Sequence, residues 1–210
     1  CEDTTRTYEI PTHIMYEIAK YECVYVTDKI FASITQVTNP QGIMAIIEKN
    51  EIDVQIDYTQ DIIVALDDVQ DPGNLGTILR TVDSIGLNQI IVSKGTADAY
   101  NSKVVRSTMG AIFRVKIIEV ENLVQAIKEM RRHHFKLMVT SLQTENSIYD
   151  IQFNKKIIVI GNESNGVSKE IQEMADEKAK IPMLGRTESL NASVAAGVVM
   201  YEYVRQKLSK

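Results

Sequence analysis

Residues 181–202 read IPMLGRTESLNASVAAGVVMYE, and this stretch does more than any other to decide the fold. Its apolar start predicts the end of a strand over residues 179–181, its polar middle predicts a loop, and residues 190–207 have the pattern of a helix. A helix N-terminus leaves backbone N–H groups unpaired, and they point toward whatever precedes the helix. Because the first turns consist largely of small residues, from Ala192 to Gly197, a ligand or another backbone can approach closely.

In the sequence before residue 181, short apolar runs alternate with helical patterns. Such repeated βα units build an α/β fold with a mainly parallel sheet and helices on both faces. Ligands bind such sheets beyond the carboxyl ends of the strands, so residues 67–74, 161–166 and 182–191 are expected to converge. The predicted strands are 62–66, 89–92, 115–118, 136–140, 157–160 and 179–181, and the predicted helices are 75–85, 103–109, 123–133, 168–175 and 190–207.

The first quarter of the chain has a different, mixed pattern. Residues 12–21 and 29–36 have helical patterns, residues 23–27 are β-rich, and residues 42–48 predict a strand. The charged, poorly periodic residues 50–59 are typical of a linker. We therefore expect a small α+β segment over residues 1–49, a linker over 50–59, and the main domain over 60–210.

Composition excludes several classes of protein. No apolar run approaches the roughly 20 residues of a membrane span, so we expect a soluble, cytoplasmic protein. Neither the two cysteines, Cys1 and Cys23, nor the three histidines are spaced like metal ligands, and no metal site is predicted. Because the sequence begins with Cys1 rather than Met, we expect it to be part of a longer chain.

Three motifs in the main domain carry a family resemblance. Residues 74–80 (NLGTILR), 161–167 (GNESNGV) and 181–193 (IPMLGRTESLNAS) strongly resemble, in the same order, the motifs of the SpoU/TrmH-like RNA 2'-O-ribose methyltransferases of the SPOUT superfamily. The similarity covers about residues 60 to 207. One glycine-bearing motif would be a weak signal, but three at compatible spacing are specific. Residues 24–27 and 38–43 resemble, more loosely, the L30e-like substrate-binding domain that precedes the catalytic domain in many members.

The resemblance implies properties that periodicity alone does not give. These are S-adenosylmethionine as the methyl donor, an α/β-knot with a deep trefoil near the C-terminus, and a homodimer. The apolar stripe of Val194, Val198, Met200, Tyr201 and Val204 fits either a dimer interface or the core of one protomer, and the sequence does not separate the two.

The same resemblance places Asn74, Arg80, Glu163, Ser189 and Asn191 at the reacting centre. Arg80 cannot readily act as a base, so we assign it the flanking phosphate and the developing alkoxide, which leaves the proton to water, phosphate or another group. Glu163 is expected to orient Arg80 or a hydroxyl. Asn74 and Ser189 are also suitable N-caps for their helices, and Gly76 suits close packing.

Cofactor contacts are implied for backbone and small side chains at three strand ends. The implied set is Thr140, Ser141, Leu142, Gly161, Ile181, Met183, Ser189, Leu190 and Ala195.

RNA contacts are predicted at Arg80, Lys103, Arg106 and Arg114. Residues 103–116 contain four basic residues and no acidic one, in a chain of net charge −5. An RNA-facing patch and an ordinary solvated face explain this run about equally well.

Three functions remain open at this stage. The leading one is methylation of a ribose 2'-hydroxyl in RNA, with ribosomal RNA slightly preferred over transfer RNA. Methylation of a base atom fits the motifs less well. A catalytically silent RNA-binding module would be expected to have lost catalytic positions, and none is lost. A Rossmann nucleotide-binding protein is disfavoured because no Gly-x-Gly-x-x-Gly follows the first strand.

Overall fold

The computed structural model describes residues 10–48, 55–187 and 189–209, and the chain divides into two compact units, Cys1–Ile52 and Asp53–Lys210. The division falls inside the segment predicted as a linker. We describe each unit by itself.

The first unit contains two short helices, α1 (Thr12–Ile18) and α2 (Asp28–Ile34). None of residues 10–48 is buried. The strands expected at residues 23–27 and 42–48 are not formed, and that prediction was wrong. An extended segment becomes a strand only by pairing, and within the described residues neither segment has a partner. The L30e-like assignment of this unit stays a prediction.

The second unit is built on a six-stranded sheet in the order β3-β2-β1-β5-β4-β6, in which every pairing is parallel. This confirms the predicted fold class. The two central strands are buried along their whole length, as parallel strands covered on both faces must be. The strands are β1 (Ile62–Asp67), β2 (Gln89–Ser93), β3 (Lys116–Val120), β4 (Lys136–Thr140), β5 (Lys156–Gly161) and β6 (Glu177–Ala179).

Helices cover both faces of this sheet, also as predicted. Side chains of α3, α4 and α7 share one buried cluster with Ile62, Val64 and Leu66 of β1. Those of α5 and α6 share the other with Ile63 and Ala65. The helices are α3 (Pro72–Ser84), α4 (Ser102–Ser107), α5 (Leu123–Arg132), α6 (Lys169–Met174) and α7 (Ala192–Leu208), with short 3-10 turns at Ala111–Phe113 and Ile148–Asp150.

Most elements of the second unit begin or end one to three residues from the predicted position, and capping or pairing explains three of these differences. Helix α3 begins three residues early because Asp71 is its N-cap, with Asp71 Oδ1 accepting the N–H of Asn74 at 2.8 Å. Helix α7 begins two residues late because Asn191, not Ser189, is its N-cap. Strand β6 ends at Ala179, the last residue paired with β4, so Ile181 lies in the following loop.

The second half of the predicted linker packs against the second unit. The backbone of Asp57 exchanges two hydrogen bonds with the fully buried side chain of Gln89, at 2.8 and 2.6 Å. Ile56 and Tyr58 pack on the core, and the ring of Tyr58 stacks on that of His133 at 3.6 Å. These residues therefore belong to the second folded unit.

Gly76 permits the closest helix contact in this unit. A Cβ at Gly76 would lie 1.7 Å from Ser107 Oγ and 3.0 Å from the carbonyl oxygen of Val104, both on α4. Only a glycine lets α3 and α4 approach this closely. The prediction that Gly76 serves packing agrees with this geometry.

We expect Gly76→Ala to lower the free energy of unfolding by about 1–3 kcal/mol, because the added methyl overpacks the contact between α3 and α4. Gly185→Ala is the control, since a Cβ at Gly185 meets nothing within 4 Å. That control should be neutral or stabilising by up to about 1 kcal/mol. Urea denaturation measures both changes, and equal effects of the two would contradict the packing role.

Candidate active site

The loops that follow β1 and β5 meet at the carboxyl edge of the sheet. These two strands are neighbours, but the chain leaves β1 toward β2 and leaves β5 toward the opposite edge, so they flank the point where the strand order reverses. Parallel α/β sheets bind ligands at such a point. The segment before α7 reaches the same place, so the three motifs converge as predicted.

A chain of hydrogen bonds joins the three motifs. Asn74 Nδ2 donates to Glu163 Oε1 at 2.8 Å, and Asn191 Nδ2 donates to Asn74 Oδ1 at 2.9 Å. Asn191 Oδ1 in turn caps α7 by accepting the backbone N–H groups of Ser193 and Val194 at 2.9 and 3.3 Å. One polar path therefore runs from the second motif through the first to the third.

The carboxylate of Glu163 is held by backbone as well as by Asn74. The N–H groups of Gln70 and Asp71 donate to its two oxygens at 3.2 and 3.1 Å. Partial burial by itself would raise the pKa of Glu163, but the hydrogen bonds from Asn74 and the backbone outweigh it and lower the pKa below the ordinary 4.5. Glu163 is therefore ionised at neutral pH, where it orders its neighbours and carries no proton to donate.

Asn162 folds the loop that carries Glu163. Its Oδ1 accepts the N–H groups of Ser164 and Asn165, its Nδ2 donates to the carbonyl of Asp68 at 2.8 Å, and its backbone pairs with Gly166. Asp67 Oδ2 accepts the N–H of Ser168 at 2.7 Å. Sequence reasoning missed Asn162 and Asp67, although an asparagine two residues before a turn is a recognisable local signal.

A cavity of about 430 Å³ opens beside this chain of hydrogen bonds, within the size range of small-molecule sites. All nine residues predicted to bind the cofactor line it: Thr140, Ser141, Leu142, Gly161, Ile181, Met183, Ser189, Leu190 and Ala195. Glu163 also lines it. The lining residues that sequence reasoning missed include Gln143, Ser164, Asn165, Gln172 and Lys180.

Gly161 lies at the end of β5 and lines this cavity. A Cβ there would lie 2.1 Å from the carbonyl carbon of Gly166 and 2.1 Å from the backbone nitrogen of Val167. The loop can fold back over the end of β5 only because that position has no side chain. The shape of the cavity therefore depends on the close backbone contact between Gly161 and residues 166–167.

Arg80 does not join the network. It lies on α3 with an exposed side chain, and in the described part of the chain it has no hydrogen bond or ion pair. Glu163 contacts Asn74 and not Arg80, because the loop after β5 places the carboxylate over the first turn of α3, while Arg80 lies almost two turns further on. The other expected role of Glu163, orienting a hydroxyl, stays a prediction. Arg80 is therefore available to a group from outside the chain.

The predicted basic residues differ in their surroundings. Lys103 and Arg106 are exposed on α4. Arg114 is paired with Asp83 of α3 in a two-pronged contact of 3.0 and 2.8 Å, and this pair lowers the pKa of Asp83. Residues 103–116 contain no acidic residue, but in the folded protein Asp83 pairs with one of their basic residues, Arg114.

Within the described residues, no group of His, Cys, Asp or Glu side chains is arranged to hold a metal ion, and no helix could cross a membrane.

The fold and the cavity together define a cofactor-binding α/β domain. Residues 61–201 match the model of the SpoU rRNA methylase family. The chain is 34% identical over 181 residues to the 23S rRNA (guanosine(2553)-2'-O)-methyltransferase RlmP of Bacillus subtilis, covering 86% of this chain and 71% of that protein. It is 36% identical over 177 residues to the 23S rRNA (guanosine-2'-O-)-methyltransferase RlmB of Bordetella pertussis, covering 81% and 72%.

Solved structures agree with these relatives. The AdoMet-bound rRNA methyltransferase from Sinorhizobium meliloti superposes with a TM-score of 0.78 at 33% identity, covering 86% of this chain and 70% of that one. The SpoU methyltransferase AviRb from Streptomyces viridochromogenes, in complex with AdoMet, gives 0.66 at 33% identity, covering 70% and 61%.

The chain belongs to the SpoU rRNA methylase family. Membership confirms the predicted enzyme class, an RNA 2'-O-methyltransferase, and the predicted donor, S-adenosylmethionine. The knot and the roles of individual site residues stay predictions.

We expect Gly161→Ala to abolish binding of S-adenosylmethionine, measured by calorimetric titration, because the methyl displaces the loop that lines the cavity. Gly185→Ala is the control, since a Cβ at Gly185 meets nothing within 4 Å and Gly185 lies in the loop after β6, whose last residue, Ala179, lines the cavity. The control should bind as wild type does. A folded Gly161→Ala protein that keeps wild-type affinity would contradict this account of the cavity.

Proposed function

We propose that this chain transfers the methyl group of S-adenosylmethionine to a ribose 2'-hydroxyl of ribosomal RNA. The observation that carries the proposal is the hydrogen-bonded chain of Glu163, Asn74 and Asn191, which stands beside a cavity lined by every residue expected to bind the cofactor. Transfer RNA is the second candidate substrate. The names of two relatives, at 34% and 36% identity, favour ribosomal RNA.

The cavity suits the proposed donor in size and in chemistry. Leu142, Ile181 and Leu190 provide apolar walls for a flat base, and backbone at Gly161 can approach closely. The ionised Glu163 supplies negative charge on one wall, which favours a cationic ligand. When bound, S-adenosylmethionine supplies an activated methyl group on a sulfonium.

The remaining work of the protein is alignment and stabilisation of charge. The ribose 2'-oxygen attacks the methyl carbon in line while the bond from that carbon to sulfur breaks, and the hydroxyl proton leaves to water or phosphate. Asn74 and Asn191 are held in fixed orientations and can fix the nucleophile, with Ser189 adding a hydroxyl at the cavity wall. Arg80 holds the flanking phosphate and stabilises the developing negative charge on oxygen.

Substrate capture and location complete the proposal. The first unit, in its L30e-like role, adds contacts to the RNA beyond the catalytic unit. Since ribosomal and transfer RNA are the substrates considered, we place the enzyme in the cytoplasm. A catalytically silent binding module has no comparable support, because the catalytic positions are intact and three of them, Glu163, Asn74 and Asn191, are joined by hydrogen bonds.

We expect Arg80→Ala to reduce kcat/KM for methyl transfer by roughly 10²–10³-fold, the usual loss when one stabilising donor at a reacting oxygen is removed. Affinity for S-adenosylmethionine should not change, because Arg80 does not line the cavity. The assay follows labelled methyl groups into ribosomal RNA and, in parallel, transfer RNA. Arg114→Ala is the control, since its charge is already compensated by Asp83, and it should lose far less.

The opposite results are equally clear. If Arg80→Ala retains wild-type kcat/KM, Arg80 has no place at the reacting centre. If the wild-type chain binds S-adenosylmethionine but methylates neither RNA, the silent binding module replaces the enzyme.

We propose, in addition, that the chain works as a homodimer through an exposed face of α7. The apolar stripe of this helix is divided: Met200 is buried inside the protomer, while Val194 and Tyr201 are 51% and 53% exposed. Gly197 lies between them with open space above its Cα. An apolar, flat helix face suits a second copy of the same face.

Mixed dimers test whether the proposed active site is shared. If Arg80 serves the cavity of the partner protomer, equal amounts of inactive Arg80→Ala and Asn191→Ala subunits should recover about a quarter of wild-type activity, because half of the dimers are mixed and each has one intact site. Each variant mixed with itself is the control. No recovery in a mixture shown to exchange subunits would mean that each site is built from one protomer.

A further inference from the structure

Two large apolar side chains stand exposed beside the basic residues of α4. Met109 is 69% exposed and Phe113 is 71% exposed. Both belong to the short segment between α4 and β3, four residues apart, and their neighbours Thr108, Ala111 and Val115 are buried. The segment is therefore anchored from beneath while these two side chains face outward. Exposed apolar side chains fixed on an ordered segment mark interaction surfaces more often than scattered ones do.

The backbone holds Met109 in an unusual conformation. Its φ is +50°, and the next residue, Gly110, has φ of +84°. A left-handed conformation is unfavourable for a long side chain and persists only where the surrounding structure imposes it. Here it reverses the chain after α4 so that the 3-10 turn carrying Phe113 follows at once. The outward position of this apolar pair is thus a fixed feature of the fold.

The charge around the pair is positive. Lys103 and Arg106 are exposed on α4 and, among the described residues, have no acidic partner. Arg114 is neutralised by Asp83. Arg80 lies on the same side of α3 as Gly76 and Asp83, which contact α4 and Arg114, because residues three and four apart share a helix face. Arg80 therefore borders this surface and connects it to the reacting centre.

A surface that combines exposed cations with exposed apolar groups is suited to single-stranded nucleic acid. Phosphates contact the cations, and the flat face of a base stacks on an aromatic ring. A protein partner would be expected to bury a larger, less charged apolar area. The sign of the charge and its continuity with Arg80 favour RNA.

We propose that Phe113, flanked by Met109, is a stacking platform for an unpaired base of the RNA substrate, and that Lys103 and Arg106 hold the phosphates beside that base. This inference rests on the proposed function, since it extends the same RNA from the reacting centre across α4. It makes Phe113 a determinant of which RNA conformation is accepted. An unpaired base, preferably a purine, would lie a short distance from the methylated ribose.

Binding of two labelled oligonucleotides separates stacking from charge. Fluorescence anisotropy is measured for the whole chain with a twelve-nucleotide oligoadenylate, which stacks strongly, and with oligouridylate, which stacks weakly. Wild type should prefer oligoadenylate. Phe113→Ala should weaken oligoadenylate binding by roughly fivefold to a hundredfold and leave oligouridylate nearly unchanged, whereas Phe113→Tyr should retain the preference.

Removing the two basic side chains, Lys103 and Arg106, is expected to change oligonucleotide binding in a different way. Lys103→Ala together with Arg106→Ala should weaken both oligonucleotides alike and reduce the slope of log affinity against log salt by about 1.4, the value for two contacts on a single strand. Leu208→Ala, which removes an exposed apolar side chain at the far end of α7, is the matched control and should change neither.

Three results would overturn the inference: no base preference in wild type, an equal effect of Phe113→Ala on both oligonucleotides, or dissociation of a homodimer by Phe113→Ala in sedimentation analysis. The last would make Phe113 a subunit contact. Methyl transfer by the same wild-type sample is assayed in parallel, so failure of the proposed function is seen separately from failure of the platform.

Discussion

The ionised carboxylate of Glu163 is the constraint on which the geometry of this site depends. An amide side chain can present its oxygen or its NH₂ group in a given direction, but a carboxylate only accepts hydrogen bonds. Glu163 therefore fixes Asn74 with NH₂ toward it and oxygen away. That oxygen fixes Asn191 in the same sense, and the oxygen of Asn191 is left for the N-terminus of α7. One negative charge sets the direction of every group along the chain.

The direction of these hydrogen bonds also suits helix α7, where they end. The N-terminus of α7 carries partial positive charge from its unpaired N–H groups, and it favours the acceptor that Asn191 offers. Charge at one end and helix dipole at the other thus polarise the two amides in the same sense, which strengthens each hydrogen bond. The three motifs are distant along the sequence, and this cooperative path is what makes them a single site.

Much of the second unit could be predicted from sequence, because buried parallel strands and amphipathic helices have strong periodic patterns. All six strands were found, although β6 lies two residues earlier than expected. The sequence did not settle which of two nearby polar residues caps each helix. Asp71, not Asn74, is the N-cap of α3, and Asn191, not Ser189, is the N-cap of α7, since each directly precedes the first helical residue.

The first unit was the weakest prediction for a related reason. β-rich composition at residues 23–27 and 42–48 describes segments that suit a sheet, but a strand also needs a neighbour, and pairing is a property of the whole fold. The same limit applies to charge. In the sequence, Arg114 belongs to a run with no acidic residue, but in the folded protein Asp83 of α3 pairs with it. Long-range pairing, whether of backbone or of charge, is not encoded in a local pattern.

Helix α3 links the hydrogen-bonded site residues to the surface of α4. Its first turn carries Asn74 into the hydrogen-bonded chain, and Arg80, almost two turns later, faces solvent. At Gly76, between them, the helix lies against α4 so closely that no side chain fits. The surface of α4 with Lys103 and Arg106 is thereby fixed relative to the reacting centre. In the proposed mechanism, a substrate whose phosphates are held on α4 would be positioned, through this one rigid contact, relative to the amides proposed to align its hydroxyl, so that binding on α4 contributes to alignment of the reacting atoms.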